Sequence, residues 1–280
     1  MLVEFAVLGP CAVTVGGVPT RLGGPRPRAV LARLLIGGGA VVGEDRIIED
    51  VWHGAPPRRP RPALHTCVAD LRRALEPGRS PRRPPRVLVR RGTGYALLAG
   101  GGTVDAVRFV EAARSGMAAL AGGRPDLALE LLDAALRLWR GAAYADLADL
   151  PFVRAEAEGL DEWRSLVREE RVAALLALGQ HRAALVEARS LTVDHPFRER
   201  GWALWAVALY RCDRQAEALS VLRGAACRLR EDLGVEPGPA LAAVTRRILA
   251  HDPDLRWVGP VDCQPNCSAS PTMMPLGPRR

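Results

Sequence analysis

An arginine-rich helix followed by a glycine-tipped hairpin constrains the fold of this chain more than any other feature. Four apolar residues recur at helical spacing over Pro62–Leu75 and define one buried face: Leu64, Val68, Leu71 and Leu75. Two strand-like runs follow at residues 86–90 and 95–98, and Arg91-Gly-Thr-Gly94 connects them. This order is typical of a winged helix-turn-helix, in which the helix enters the major groove of DNA. The hairpin, or wing, contacts phosphates or the minor groove.

The polar side of this predicted recognition helix supplies the candidate DNA contacts. At about 100° per residue, three residues lie opposite the apolar face and are predicted to meet base edges: Thr66, Ala69 and Arg73. Arg72 is predicted to contact phosphate, and His65 either contacts phosphate or packs at the helix start. Asp70 would repel phosphates, so we expect it to pair with a neighbouring arginine. The alternative for this face is an ordinary solvated helix surface.

Further basic candidates lie in the wing and at the start of the first predicted helix. Wing contacts with the DNA backbone or minor groove are predicted for Arg90, Arg91 and Thr93, against the alternative of a solvated hairpin. Arg26 and Arg28 are candidates for additional phosphate contacts. Gly92 and Gly94 are interpreted as turn formers, and Tyr95 is predicted to pack inside the domain.

Basic charge is concentrated in the first hundred residues. Residues 1–100 contain 16 arginines and 7 acidic residues, a net charge of +9, whereas residues 101–255 contain 20 and 23, a net charge of −3. All 39 basic side chains are arginine, so a P-loop lysine and a Schiff-base lysine are excluded. The asymmetry indicates nucleic acid as the partner of the first part and a protein or ligand as the partner of the second.

Signatures of catalysis and of membrane insertion are missing from the sequence. No G-x-S-x-G, H-E-x-x-H or Walker A motif occurs and the five histidines are dispersed, so we expect neither an enzyme nor a bound cofactor. No apolar run reaches about 18 residues, and a membrane span is not expected. The first ten residues include an acid and no basic residue, which is unlike a secretory signal. The chain is predicted to be cytoplasmic.

Four of the six cysteines are interpreted as small apolar side chains in a reducing compartment. Buried positions are predicted for Cys11, Cys67, Cys212 and Cys227. Cys263 and Cys267 form a C-x3-C pair without a second pair or a nearby histidine, so no metal site is expected. Four tryptophans on predicted helices are interpreted as core residues: Trp139, Trp163, Trp202 and Trp205.

Gly100-Gly-Gly102 is predicted to mark a boundary between two domains. Before it we expect strands over 3–8, 11–15 and 18–22, helices over 27–36, 44–53 and 62–75, and then the wing. Beyond it the periodicity predicts seven helices, over 105–121, 125–139, 152–178, 181–194, 198–212, 214–231 and 238–250. The predicted fold is mainly α: a winged-helix DNA-binding domain over 1–100, a helical domain over 101–255 and a disordered tail over 256–280.

A loose repeat in the helical part indicates stacked helix pairs. Ala-Leu pairs recur at 128–129, 184–185 and 218–219, and the last two are 34 residues apart. That interval is the tetratricopeptide period, and small residues there let paired helices approach closely. Stacked pairs of this kind build a concave face for a partner.

Taken together, these motifs resemble the Streptomyces antibiotic regulatory protein family, pathway-specific transcriptional activators of secondary metabolism. The resemblance covers residues 3 to about 255. Its landmarks include Val7–Pro10, Asp70–Leu75, Gly92–Leu97, Ala134–Gly141, His195–Arg200 and Asp232–Pro239. Each motif alone is weak, but so many in one order are specific.

The resemblance implies a response-regulator-like winged helix joined to a helical bacterial transcriptional activator domain. It further implies binding as a homodimer to direct repeats near a promoter −35 region, and recruitment of RNA polymerase through its sigma or alpha subunits. Polymerase contact by a loop over 54–62 is implied for Arg58, Arg59 and Arg61; the alternative is a disordered linker. Two departures are an Arg/Pro-rich insert over 77–86 and Gly43 at a cap where the family often has Ser or Thr.

The helical domain has three roles open to it: dimerisation, stabilisation of the DNA-bound form, or reception of a signal. A protein of a different class fits the same motifs, namely a scaffold whose winged helix binds protein instead of DNA. A repressor with the same fold would bind DNA equally well.

Overall fold

The computed structural model describes residues 2–80 and 82–255, so the predicted tail with Cys263 and Cys267 lies outside the described residues. The first domain opens with an antiparallel sheet of three strands: β1 (Val3–Ala6), β2 (Ala12–Val15) and β3 (Val18–Thr20). Three helices pack beside it: α1 (Pro25–Ile36), α2 (Glu44–Trp52) and α3 (Pro60–Leu75). A second sheet has the order β4 (Val42–Gly43), β6 (Gly94–Leu97) and β5 (Leu88–Arg91).

Strand β4 is absent from the sequence-based prediction, because two residues carry no readable periodicity. It pairs with the wing through Val42 opposite Tyr95 and Gly43 opposite Gly94. A Cβ at Gly94 would lie 2.2 Å from the Val42 carbonyl oxygen. The interpretation of Gly94 as a turn former is therefore corrected: its small size permits close strand approach. Gly92, with φ +56°, is the residue that the turn requires.

The recognition helix α3 begins two residues before its predicted start. Pro60 opens it, and a proline suits the first helical turn because it has no N–H to leave unpaired there. The loop predicted over 54–62 is shorter as a result, and Arg61 belongs to the first turn of α3. Gly43 caps α2 without a side-chain hydrogen bond, as the sequence indicated.

The second domain is helical throughout its described length. Its helices are α4 (Asp105–Ala121), α5 (Pro125–Leu136), α6 (Pro151–Ala177), α7 (His181–Asp194), α8 (Glu199–Arg211), α9 (Gln215–Leu233) and α10 (Pro239–Leu249). Among the described helices, none combines the length and apolarity needed to cross a membrane.

Consecutive helices of this domain pack against one another in series from α4 to α9, and this series includes the pairs α4/α5, α6/α7 and α8/α9. The repeated alanines fall on the second helix of each pair, and each is fully buried: Ala128, Ala184 and Ala218. The tryptophans predicted as core residues all pack against buried clusters. The cysteine prediction holds for Cys11 and Cys67 but is wrong for Cys227, which is exposed on α9; Cys212 follows the end of α8 and is half-buried.

Helix pair α4/α5 depends on a glycine at its closest approach. A Cβ at Gly116 would lie 2.8 Å from both Cγ and Cδ2 of Leu132, which is fully buried. We expect Gly116→Ala to lower the free energy of unfolding by about 1–3 kcal/mol, because the core must shift to admit the methyl group. Urea unfolding followed by circular dichroism measures this.

The matched control is Gly159→Ala on exposed α6 backbone, where a Cβ meets nothing within 4 Å. This variant should gain up to about 1 kcal/mol from its better helix propensity. Equal effects of the two substitutions would contradict the close approach at Gly116.

The two domains share one continuous hydrophobic core. The turn after β1 docks on the helical domain: Asp105 at the start of α4 accepts the N–H groups of Val7 (2.8 Å) and Leu8 (3.1 Å). The backbone N–H groups of Arg140 and Tyr144 donate to the carbonyls of Leu8 (2.7 Å) and Val7 (2.8 Å). We call these contacts the domain clasp.

Candidate nucleic-acid interface

Helix α3 exposes the residues predicted to meet base edges. Thr66, Ala69 and Arg73 are exposed, while Leu64, Val68, Leu71 and Leu75 on the other side are buried at 0–2%. The Thr66 hydroxyl donates to the Pro62 carbonyl at 3.1 Å, so it still has lone pairs to offer a ligand. The three residues form one exposed stripe along the helix, which we call the α3 stripe.

Asp70 pairs with Arg73, as its position beside the stripe led us to expect. The Arg73 side chain is 78% exposed and the Asp70 side chain 39% exposed. Surface ion pairs contribute about 0–1 kcal/mol. The Arg73 guanidinium can therefore leave the Asp70 carboxylate and bind a ligand at a small cost in free energy.

A buried carboxylate joins α3 to α2 and the wing. Glu44, the first residue of α2, is 7% exposed, and its Oε1 lies 3.2 Å from His65 Nε2 and 3.4 Å from an Arg90 terminal nitrogen. Burial, and then the Glu44 carboxylate, raise the pKa of the Tyr95 hydroxyl, which is packed inside as predicted. Of the two roles left open for His65, this contact favours packing at the helix start.

Arg72 fastens α3 to the base of the wing. Its Nε donates to the Leu88 carbonyl at 2.9 Å, and the guanidinium lies 5.8 Å from the centre of the Tyr95 ring. Burial lowers the pKa of this side chain. These contacts hold the recognition helix against the wing, and phosphate contact by Arg72 stays a prediction.

The wing tip carries the freest of the predicted basic groups. Arg90, Arg91 and Thr93 are all exposed. Within the described residues, the Arg91 guanidinium has neither an ion pair nor a hydrogen bond, whereas Arg90 is held by Glu44. Arg91 is thus available to an external anion.

The two arginines at the start of α1 each have a partner within the protein, and their role as phosphate contacts stays a prediction. Arg26 donates to the Val51 carbonyl at 2.6 Å and lies 5.9 Å from the centre of the Trp52 ring. Arg28 pairs with Asp146 of the helical domain at 2.8 Å. Sequence periodicity could not reveal either partner, because both are distant along the chain.

The loop before α3 presents two arginines to solvent. Arg58 and Arg59 are exposed, whereas Arg61 pairs with Asp45 of α2 at 3.1 Å. Arg59 and Arg61 line an open depression of about 530 Å³ between α2 and the start of α3. The sequence singled out the insert over 77–86 but assigned it no site, although it holds four arginines.

Known protein families match both parts of the chain. The family described as bacterial transcriptional activator domain matches residues 104–249. The family described as transcriptional regulatory protein, C terminal, matches residues 21–97.

Whole regulators are similar over most of this length. EmbR of Mycobacterium tuberculosis, a transcriptional regulatory protein, is 39% identical over 250 residues, 89% of this chain and 64% of EmbR. This chain thus spans slightly less than two thirds of EmbR. MoaR1 of the same organism is 35% identical, with 92% of this chain and 83% of MoaR1 covered. RedD of Streptomyces coelicolor, a transcriptional regulator, is 33% identical, with coverage of 91% and 72%.

A solved structure has the same fold. Mycobacterium tuberculosis EmbR in complex with a low affinity phosphopeptide superimposes with a TM-score of 0.84 at 39% identity. The match covers 89% of this chain and 65% of that one.

Proposed function

Because this chain belongs to the Streptomyces antibiotic regulatory protein family of bacterial transcriptional regulators, we propose that it activates transcription by binding specific DNA sequences. The observation that carries the proposal is the α3 stripe, exposed beside a wing whose tip bears Arg91. A helix of this kind fits the major groove, and Arg73 has the geometry to bond a guanine edge.

The family supports a more specific version of this function. Two copies bind direct repeats near a −35 element and recruit RNA polymerase to a secondary-metabolite gene cluster. The site of action is the cytoplasm, and the role needs no catalytic group. The helical domain supports dimerisation, stabilises the DNA-bound form or receives a signal.

DNase footprinting on promoter fragments from neighbouring genes tests the proposal, at about physiological salt with excess competitor DNA. Paired protection over direct repeats beside a −35 element is the expected result. Absence of specific protection by a protein with normal circular dichroism would overturn it and favour a winged helix that binds protein.

Substitution of the exposed loop arginines tests whether activation can be lost while DNA binding is kept. We expect the double variant Arg58→Ala/Arg59→Ala to lose at least about 1.4 kcal/mol of polymerase interaction, a tenfold drop in transcription. Its operator affinity should change less than threefold, because Arg58 and Arg59 precede α3 and are not part of the α3 stripe. In vitro transcription and gel shifts measure the two effects.

Arg182→Ala/Arg189→Ala is the control for the loop variant, since both residues are exposed on α7 and lie in no ion pair among the described residues. It should leave transcription and DNA binding unchanged. Equal loss of DNA binding and activation in the loop variant would instead make Arg58 and Arg59 DNA contacts.

A further inference from the structure

The segment between α3 and the wing concentrates positive charge, most of which has no acidic partner among the described residues. Residues 77–80 and 82–86, here called the basic loop, contain four arginines and no acid. Three of them have exposed side chains and form no ion pair within the described residues: Arg82, Arg83 and Arg86. Such a cluster concentrates positive potential on one part of the surface and attracts a polyanion.

The basic loop is held in place from beneath. Glu76, at the end of α3, accepts the backbone N–H of Arg86 with both carboxylate oxygens, at 3.1 and 3.2 Å. Arg79 lies 3.9 Å from the same carboxylate and donates to the Arg83 carbonyl at 2.6 Å. These contacts fix the backbone of the loop, while the guanidinium groups of Arg82, Arg83 and Arg86 stay exposed to solvent. A loop ordered in advance loses less entropy when it binds.

The loop and the wing tip lie at opposite ends of the recognition helix. Glu76, which follows the last residue of α3, lies ten positions after Thr66, or about 15 Å along the helix axis. The wing tip is at the other end, where Arg90 and His65 both approach Glu44. A recognition helix lies along the major groove with phosphates on both sides of it, so basic groups about 15 Å apart along the helix can reach different phosphates.

We propose that the basic loop is a second phosphate clamp, in which Arg82, Arg83 and Arg86 bind a stretch of the DNA backbone separate from the stretch that the wing contacts. The ligand is the phosphodiester chain, and the clamp adds affinity without reading sequence. The proposal rests on DNA binding by α3 and identifies an additional part of that interface.

The test compares the full-length protein with the triple variant Arg82→Ala/Arg83→Ala/Arg86→Ala on the operator defined by footprinting. Each lost phosphate contact lowers the slope of log affinity against log salt by about 0.9, so the slope should fall by about 2 to 3. The ratio of specific to non-specific affinity should stay unchanged. Alanine at position 86 keeps the backbone N–H that Glu76 binds, so the loop anchor survives.

Arg154→Ala/Arg182→Ala/Arg189→Ala is the charge-matched control, because all three residues are exposed on the helical domain and lie outside any ion pair among the described residues. Its slope should equal that of the unaltered protein. Phosphate ethylation interference should show a set of phosphate contacts that is lost only in the loop variant.

The phosphate clamp is wrong if the loop variant keeps the same slope of log affinity against log salt while the unaltered protein gives a normal footprint. The proposed function stands in that case. A changed specificity ratio overturns its sequence-independent character. Failure of the unaltered protein to footprint any promoter overturns the proposed function itself. Circular dichroism establishes that each variant is folded before its slope is compared.

Discussion

Ala69→Glu is expected to abolish specific DNA binding while leaving the protein folded. Ala69 lies in the middle of the α3 stripe and is exposed, so a glutamate there meets no packed neighbour. Its carboxylate would face phosphates and the acceptor-rich floor of the groove, next to Asp70. Like charges brought together at an interface cost several kcal/mol, and about 3 kcal/mol corresponds to a loss of more than roughly 100-fold in affinity.

The control for this substitution is Ala183→Glu, which adds the same charge at an exposed alanine of α7. Fluorescence anisotropy with an operator duplex measures affinity, and thermal unfolding checks stability. We expect a normal Kd for the α7 variant and an unchanged melting temperature for both. Retention of specific binding by Ala69→Glu would remove the stripe from the interface.

Asp105→Ala is expected to lower the free energy of unfolding by about 2–5 kcal/mol. The substitution leaves the N–H groups of Val7 and Leu8 without an acceptor, and both residues are fully buried. Each buried donor left unpaired costs about 1–3 kcal/mol. Burial raises the pKa of Asp105, and the two N–H donors, which favour the charged form, oppose that rise. Urea unfolding gives the magnitude.

Asp126→Ala provides the comparison for Asp105, because it removes an aspartate from the first turn of α5 at an exposed position. Loss of its interaction with the helix dipole should cost no more than about 1 kcal/mol. Similar costs for the two variants would show that the domain clasp contributes little to stability.

Local patterns were sufficient to predict the helices and the α3 stripe. The spacing of Leu64, Val68 and Leu71 fixes which side of α3 is buried, so the opposite side follows. The Asp70–Arg73 pair was also predictable, because residues three apart share a helix face. These inferences need only the geometry of one helix.

Contacts between distant segments could not be predicted in the same way. Arg28 meets Asp146 from 118 positions away, and Arg72 meets the Leu88 carbonyl across a gap that the basic loop fills. The sequence alone predicts both arginines as phosphate contacts, because neither acceptor lies close to its arginine along the chain. Only the folded arrangement shows that the protein supplies the nearer acceptor.

The domain clasp has a consequence for how the proposed activator would be placed on a promoter. Because the clasp and the shared core hold the two domains together, the helical domain is presented at one angle around the duplex once α3 is seated in the groove. DNA turns once in about 10.5 base pairs, so a five-base-pair shift of the operator would carry that domain to the opposite side of the helix. Promoters served by such a protein are constrained in helical phase as well as in sequence.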